Sequence, residues 1–401
     1  MKDLSGRRNE EAESLCGTEE TMQSRATCQS SVRSTEPISN DMSFRLSVLK
    51  FVSIIAVVFI HSYAADIHLR SGDIDLVSEY PFTSAVEIFI TRYFAKFAVP
   101  LFYCISGYIY FRKNYKIKYF EHVKKRTGNL LFPFFLWNTL CIISMFLLQC
   151  IPLSRRFFTK NLISEWDLSQ WFQAYAGAYG HGIYDNEMPY LYPLWFLQIL
   201  FLVTLVVPLL KKIIIKFPAC CLMVLFFLNV INLYFFSPSN VFYRFVNALF
   251  FFILGHIIAL YQKRIDTPAF CILSGSVFFS AIILPMIFLN ELDRIPMNFY
   301  IELPGVLFFF SFSQFFRKSS LKTKNVLLFL SSYTFLIYLM HENALTILKK
   351  LAYVLFLPFN FPFIPLTLFF VLPLALSAAL ILFGVLIRKY MPAFFHFLFG
   401  R

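Results

Sequence analysis

Charge is scarce in this chain: Lys, Arg, Asp and Glu account for 15% of its 401 residues. A soluble domain carries roughly a quarter, so a fully solvated surface is excluded. Glycine is sparse as well, at 13 residues, and none of it builds the glycine-rich loop that cradles nucleotide phosphates. Eight cysteines are scattered, with Cys104, Cys141, Cys220, Cys221 and Cys271 in or beside apolar runs. No C-x-x-C pair or disulfide framework is present, and these residues read as small apolar packing groups. Neither G-x-S-x-G nor H-E-x-x-H occurs, which leaves a serine hydrolase and a zinc peptidase unsupported. The seven histidines are dispersed, without His-x3-His spacing, and no metal site is expected. The start of the chain lacks the basic, apolar, small-residue succession of a cleavable signal peptide.

What fills the chain instead is apolar surface, with 58% hydrophobic residues and a mean hydropathy of +0.65. Such a composition defines an all-α, polytopic integral membrane protein. About ten transmembrane helices are expected, over 45–64, 92–111, 129–149, 192–210, 217–236, 242–260, 268–289, 298–316, 325–347 and 366–387. Residues 1–43 are polar and poor in core-forming side chains, so a disordered tail is expected there, ahead of a membrane domain over 44–390 and a short tail over 391–401. The net charge of +13 does not point to nucleic acid, because the basic residues sit in short connections between apolar runs. Lys113 to Arg126, Lys211 to Lys216, Lys263 and Arg264, Arg317 to Lys324, and Arg388 and Lys389 mark cytoplasmic connections. The intervening connections, with Asp66, Asp73, Glu79, Glu165, Asp167, Glu291 and Asp293, face outward; Lys349 and Lys350 are the exception. Both termini then lie on the cytoplasmic side. The long connection 150–191, with Trp166, Trp171, Tyr175, Tyr179, His181 and Tyr184, is expected to pack as a lid or an interfacial helix, its rings stacking on sugars or resting among headgroups.

His61 lies sixteen residues into the first apolar run, roughly 24 Å along a helix in a layer about 30 Å thick. Lys50, eleven residues earlier, shares its helix face. Ionisable groups at such depth face protein or a wet cavity, and they mark functional sites unless they only hold neighbouring helices together. By the same counting His341 and Glu302 reach the depth of His61, and Arg244, Trp195 and Gln198 lie near it. A buried polar centre with His61 as a general base, or a purely structural hydrogen-bond cluster, would each place these residues together. Towards the other face, Ser106 and the basic group Lys124, Lys125 and Arg126 could grip phosphates or serve topology alone.

Five stretches carry a family likeness: Arg45-Leu-Ser-Val-Leu-Lys50 with ten residues before His61, Val99-Pro-Leu-Phe-Tyr-Cys-Ile-Ser-Gly-Tyr108, Leu130-Leu-Phe-Pro-Phe-Phe-Leu-Trp137, Pro193-Leu-Trp-Phe-Leu-Gln198, and Tyr338-Leu-Met-His341. In this order they resemble the membrane-bound acyltransferase-3 family, bacterial O-acetyltransferases of surface polysaccharides. The family's basic-x10-His element falls on Lys50 and His61. Its arginine pair matches at Arg126, while Asn129 stands where a second basic residue is common. The resemblance implies a multi-pass protein of the bacterial inner membrane. Its donor would be acetyl-CoA or another acyl-CoA, used as a substrate without a bound cofactor, and its acceptor a glycan or lipid-linked sugar. His61, Lys50, Glu302 and His341 are then the expected catalytic residues; Arg45, Ser106, Lys125, Arg126, Trp195, Gln198 and Arg244 are expected to bind substrate. The reading from another class is an exporter or flippase of glycans or lipid-linked sugars, which would show inverted repeats and broken helices at the membrane midplane.

Overall fold

The computed structural model describes residues 38–64, 66–69, 72–113, 118–152, 162–176, 188–235, 240–288, 298–356, 359 and 361–399. The expected tail lies outside these residues up to 37, as do Tyr179, His181, Tyr184, Glu291 and Asp293. Residues 40–43 already belong to the first helix, which Ser39 caps by accepting the Met42 amide at 3.2 Å.

Long apolar runs give long helices, since within lipid each backbone amide must find its partner inside its own segment. The principal helices are α1 (Asn40–Ser62), α2 (Pro81–Arg112), α3 (Tyr119–Cys150), the short α4 (Leu168–Ala176), α5 (Tyr192–Lys216) and α6 (Pro218–Phe235). They continue as α7 (Val241–Leu260), α8 (Pro268–Phe288), α9 (Phe299–Lys318), α10 (Leu321–Ser331), α11 (Thr334–Phe356), α12 (Ile364–Tyr390) and α13 (Pro392–Phe399). A small antiparallel hairpin, β1 (Asp66–Leu69) with β2 (Gly72–Asp75), follows α1. Among the described residues, seven helices are long and apolar enough to cross a membrane, and the bent pair α10–α11 makes up to eight. The expectation of about ten spans is therefore slightly high, because α6 and α8 fall short of that measure. Large apolar side chains such as Leu209, Phe227, Ile272 and Leu382 face outward, as a lipid-facing belt requires. The expected C-terminal tail holds α13, whose Leu398 carbonyl accepts the indole N–H of Trp137 at 2.9 Å.

Two apolar clusters form the core, and α1 belongs to both: Leu46 and Leu49 pack with α2, α5 and α7, while Ile54, Val57 and Val58 pack with α11 and α12. The tightest crossing is between α2 and α7. A Cβ on Gly107 would stand 1.8 Å from the Phe252 carbonyl oxygen, and one on Gly255 would stand 2.1 Å from that of Cys104. Only glycine allows this approach of one backbone to another.

Several helices depart from regular winding. α2 widens over Phe89–Tyr93 and tightens over Phe94–Phe97, α3 widens over Thr127–Leu131, and α5 opens with a tight turn at Tyr192–Leu194. Between α10 and α11 the axis bends by 53°. Three neighbouring hydroxyls turn back on the backbone at this bend, which favours bending: Ser331 donates to the Leu328 carbonyl at 2.9 Å, Ser332 to Phe329 at 2.7 Å and Thr334 to Ser331 at 2.8 Å.

Candidate active site

Most of these irregular segments border a cavity of about 670 Å³. Lys96 from the tightened part of α2, Leu130 from α3, Tyr192 and Pro193 from the start of α5, and Ser331, Ser332 and Thr334 from the bend all line it. Irregular backbone at membrane depth is tolerated where it borders a wet cavity or packed protein.

α1 presents Lys50 and His61 to this space, as their shared face requires. Ser106, Trp195, Arg244 and Glu302 line it as well. α7 begins at Asn240, whose side chain accepts the amides of Phe242 at 2.8 Å and Tyr243 at 3.4 Å. That cap sets Tyr243, Arg244 and Asn247 in the first turns of α7, facing the cavity. Asn247 donates to a Glu302 carboxylate oxygen at 2.9 Å, and the Arg244 guanidinium lies 5.1 Å from the centre of the Trp195 ring. Three cations, Lys50, Lys96 and Arg244, thus share the wall with one carboxylate, Glu302. The buried hydroxyls of Tyr103 and Tyr243 have no hydrogen-bond partner among the described residues. Both residues line the cavity, where a bound ligand would satisfy them.

At one end of the cavity His61 meets α11. Its Nδ1 lies 2.6 Å from a carboxylate oxygen of Glu342, and its ring stands 5.1 Å from the ring of His341 and 5.6 Å from that of Tyr192. His341 is completely buried, with Nδ1 facing the carbonyls of Ile337 at 3.0 Å and Tyr338 at 2.9 Å on its own helix. The Tyr338 hydroxyl donates to the Pro193 carbonyl at 2.6 Å and ties α11 to the start of α5. Two of the dispersed histidines are therefore neighbours, at the common depth that counting residues into each helix gave them. A straight ninth helix was expected from residue 325; the bend lies between that start and His341, yet His341 still reaches His61.

Other expected site residues lie elsewhere. Arg45 is fully buried and committed to protein: Nη1 and Nη2 each donate to Asp266 at 2.6 Å, Nε donates to Ser313 at 2.9 Å, and Nη2 reaches the Phe310 carbonyl at 3.3 Å. Asp266 also receives Arg317 at 2.5 Å, and Arg317 pairs with Asp41 at 3.1 Å. This network fastens α1 to the α7–α8 connection and the end of α9, and Arg45 does not line the cavity. The Gln198 side chain donates to the Ala176 carbonyl at 3.0 Å and holds α4, off the cavity wall. Lys125 is exposed and Arg126 half-buried at the start of α3, also off that wall.

Glu342, Lys96 and Asn247 were not foreseen. The signal for the first two was present, since each is an ionisable residue inside an apolar run. The described part of the 150–191 connection packs over α3: Asn138 donates to the Ala174 carbonyl at 2.9 Å and accepts the Leu191 amide at 2.8 Å, while Trp166 meets Trp171 and Tyr190 edge-on.

Helices that cross a membrane around a polar cavity define a multi-pass membrane protein with an intramembrane site. The chain belongs to the acyltransferase-3 family: the family model described as an acyltransferase domain matches residues 44–383. The protein is accordingly a membrane acyltransferase. No curated protein and no solved structure matches the chain.

Proposed function

We propose that the protein moves an acetyl or other short acyl group from acyl-CoA to a hydroxyl of a sugar, in a surface polysaccharide or its lipid-linked precursor. The observation that carries this reading is the contact of His61 Nδ1 with Glu342 at the wall of a cationic cavity. A sugar hydroxyl is a weak nucleophile, so a base must take its proton as it attacks the thioester carbonyl. With Nδ1 against Glu342, Nε2 of His61 is the nitrogen left for that proton, and the carboxylate orients the ring and stabilises its positive charge. The hydroxyl oxygen forms the new ester bond, the carbon–sulfur bond breaks, and the coenzyme leaves as a thiolate that takes the proton back from His61. Lys50 or Lys96 stabilises the transient oxyanion, and the cationic wall favours the anionic donor. Glu302, held by Asn247, and the stacked pair Arg244 and Trp195 bind acceptor hydroxyls on the far side. His341 packs against the base and supports its position.

In this reading the protein sits in a bacterial inner membrane with both termini cytoplasmic, so that donor arrives from the cytoplasm. The irregular helices at the cavity also fit a carrier of glycans or lipid-linked sugars, the second reading. Labelled acetyl-CoA supplied to purified protein with candidate glycans separates the two. Label transferred to glycan supports the enzyme, and glycan movement across a vesicle wall without transfer supports the carrier.

A further inference from the structure

A ring nitrogen of His61, a ring nitrogen of His341 and a carboxylate oxygen of Glu342 all lie within 4.8 Å of one another. Two imidazoles and a carboxylate are a common ligand set for zinc, with the fourth position left to water or substrate. His341 has the hydrogen bonding of a metal-ligating histidine. Its Nδ1 faces two backbone carbonyls, at 3.0 and 2.9 Å, and so carries the proton. Its Nε2 is then a bare lone pair, and in a fully buried side chain that nitrogen has no partner among the described residues. Leaving such an acceptor unmet is costly unless something electropositive is brought to it. An approach exists, since His61 and Glu342 keep 16% and 26% of their side-chain surface open and His61 lines the cavity.

We propose that His61, His341 and Glu342 form a binding site for a divalent transition-metal ion of the zinc class, and that its occupancy switches acyl transfer off. Ligand bonds of about 2.0–2.1 Å in a tetrahedron set donor atoms about 3.3–3.5 Å apart, so the widest pair needs to close and the His61–Glu342 pair, now 2.6 Å apart at Nδ1, needs to open, with side-chain shifts of about 1 Å. A neutral imidazole has one lone pair. Once His61 gives it to a metal, at either nitrogen, the ring has none for the proton of the attacking hydroxyl. Glu342 is drawn to the ion at the same time, away from orienting the base. The binding site stands on geometry alone; only its inhibitory effect rests on the acyl-transfer reading.

The test uses the tag-free full chain in detergent. Zn²⁺ binding is followed by equilibrium dialysis with metal analysis, and Co²⁺ substitution by its visible absorption. The expected result is one equivalent of Zn²⁺ that is lost, or bound at least tenfold more weakly, in His341→Ala and in Glu342→Gln, with retention in His396→Ala. Glu342→Gln preserves size and shape and stands in should His341→Ala fail to fold. Absence of that equivalent, or its full retention in both site variants, overturns the site. Zinc that binds there yet leaves acyl transfer unchanged or raises it overturns the switch. A protein that binds zinc but never transfers an acyl group upholds the site and refutes the proposed activity instead.

Discussion

The side-chain nitrogen of Lys349 donates to the backbone carbonyl of His61 at 2.8 Å, joining residues 288 positions apart. It also reaches the Tyr63 carbonyl at 3.1 Å, while Glu87 accepts the Ala64 amide at 3.0 Å. The C-terminal end of α1 leaves backbone carbonyls without helical partners, and a cation there meets both that need and the dipole. Lys349 is two turns along α11 from Glu342, so one helix holds His61 by its ring and by its backbone. This accounts for a lysine that contradicted the charge alternation of the connections: α11 runs on to Phe356, and Lys349 is partly buried within it.

Lys349→Met therefore removes a positioning group. The expected outcome is a fall in kcat of about tenfold with the KM for acyl-CoA nearly unchanged, and partial recovery in Lys349→Arg. An equal rise in KM would show that Lys349 meets the donor instead.

His61→Gln keeps hydrogen bonding but cannot carry a proton. Acyl transfer should fall on the order of 10²–10⁴-fold in a protein that remains folded and inserted. Glu342→Gln should cost less, about tenfold or more, because the base survives without its orienting charge. Near-normal turnover by a folded His61→Gln protein would refute the mechanism.

Arg45→Ala should act on stability. Breaking a buried ion pair costs about 3–5 kcal/mol, and Arg45→Lys should restore little, since the two-pronged contact with Asp266 needs the guanidinium. Thermal unfolding in detergent checks this. A stable Arg45→Ala protein with a raised KM for acyl-CoA would return Arg45 to the substrate.

Gly107→Ala and Gly255→Ala should each force α2 and α7 apart, with a loss of about 1–3 kcal/mol or failure to accumulate in the membrane. Unchanged melting in either variant would contradict the close crossing.

Much of this architecture was legible because lipid imposes long apolar segments: each expected run falls on a helix, although α2 and α3 begin at Pro81 and Tyr119, ahead of the runs from 92 and 129, and α4 lies outside them. The bend before Thr334 was not, since Ser331 and Ser332 are not helix breakers by composition; their effect depends on hydroxyls turning back to the chain. The meeting of His61 with His341 followed from counting residues into each helix. The role of Arg45 did not, because its partner Asp266 lies 221 residues away in a short connection that reads as ordinary polar sequence. Glu342 escaped notice beside His341, for neighbouring positions on a helix point about 100° apart and only the packing of α1 against α11 brings both to one ring.

The crossing at Gly107 and Gly255 has a mechanical consequence. Where the two glycines meet, backbone lies against backbone with no side chain between, and beyond that point Tyr110 and Phe111 of α2 pack on Phe252 and His256 of α7, so a close-packed pair carries Lys96, Tyr103, Arg244 and Asn247. On the other side the bend of α10 and α11 precedes His341 and Glu342, and α11 meets the start of α5 where the Tyr338 hydroxyl donates to the Pro193 carbonyl and its ring packs against Phe196. One side rests on a close-packed pair of helices and the other on a bent one, and His61 sits where the two meet.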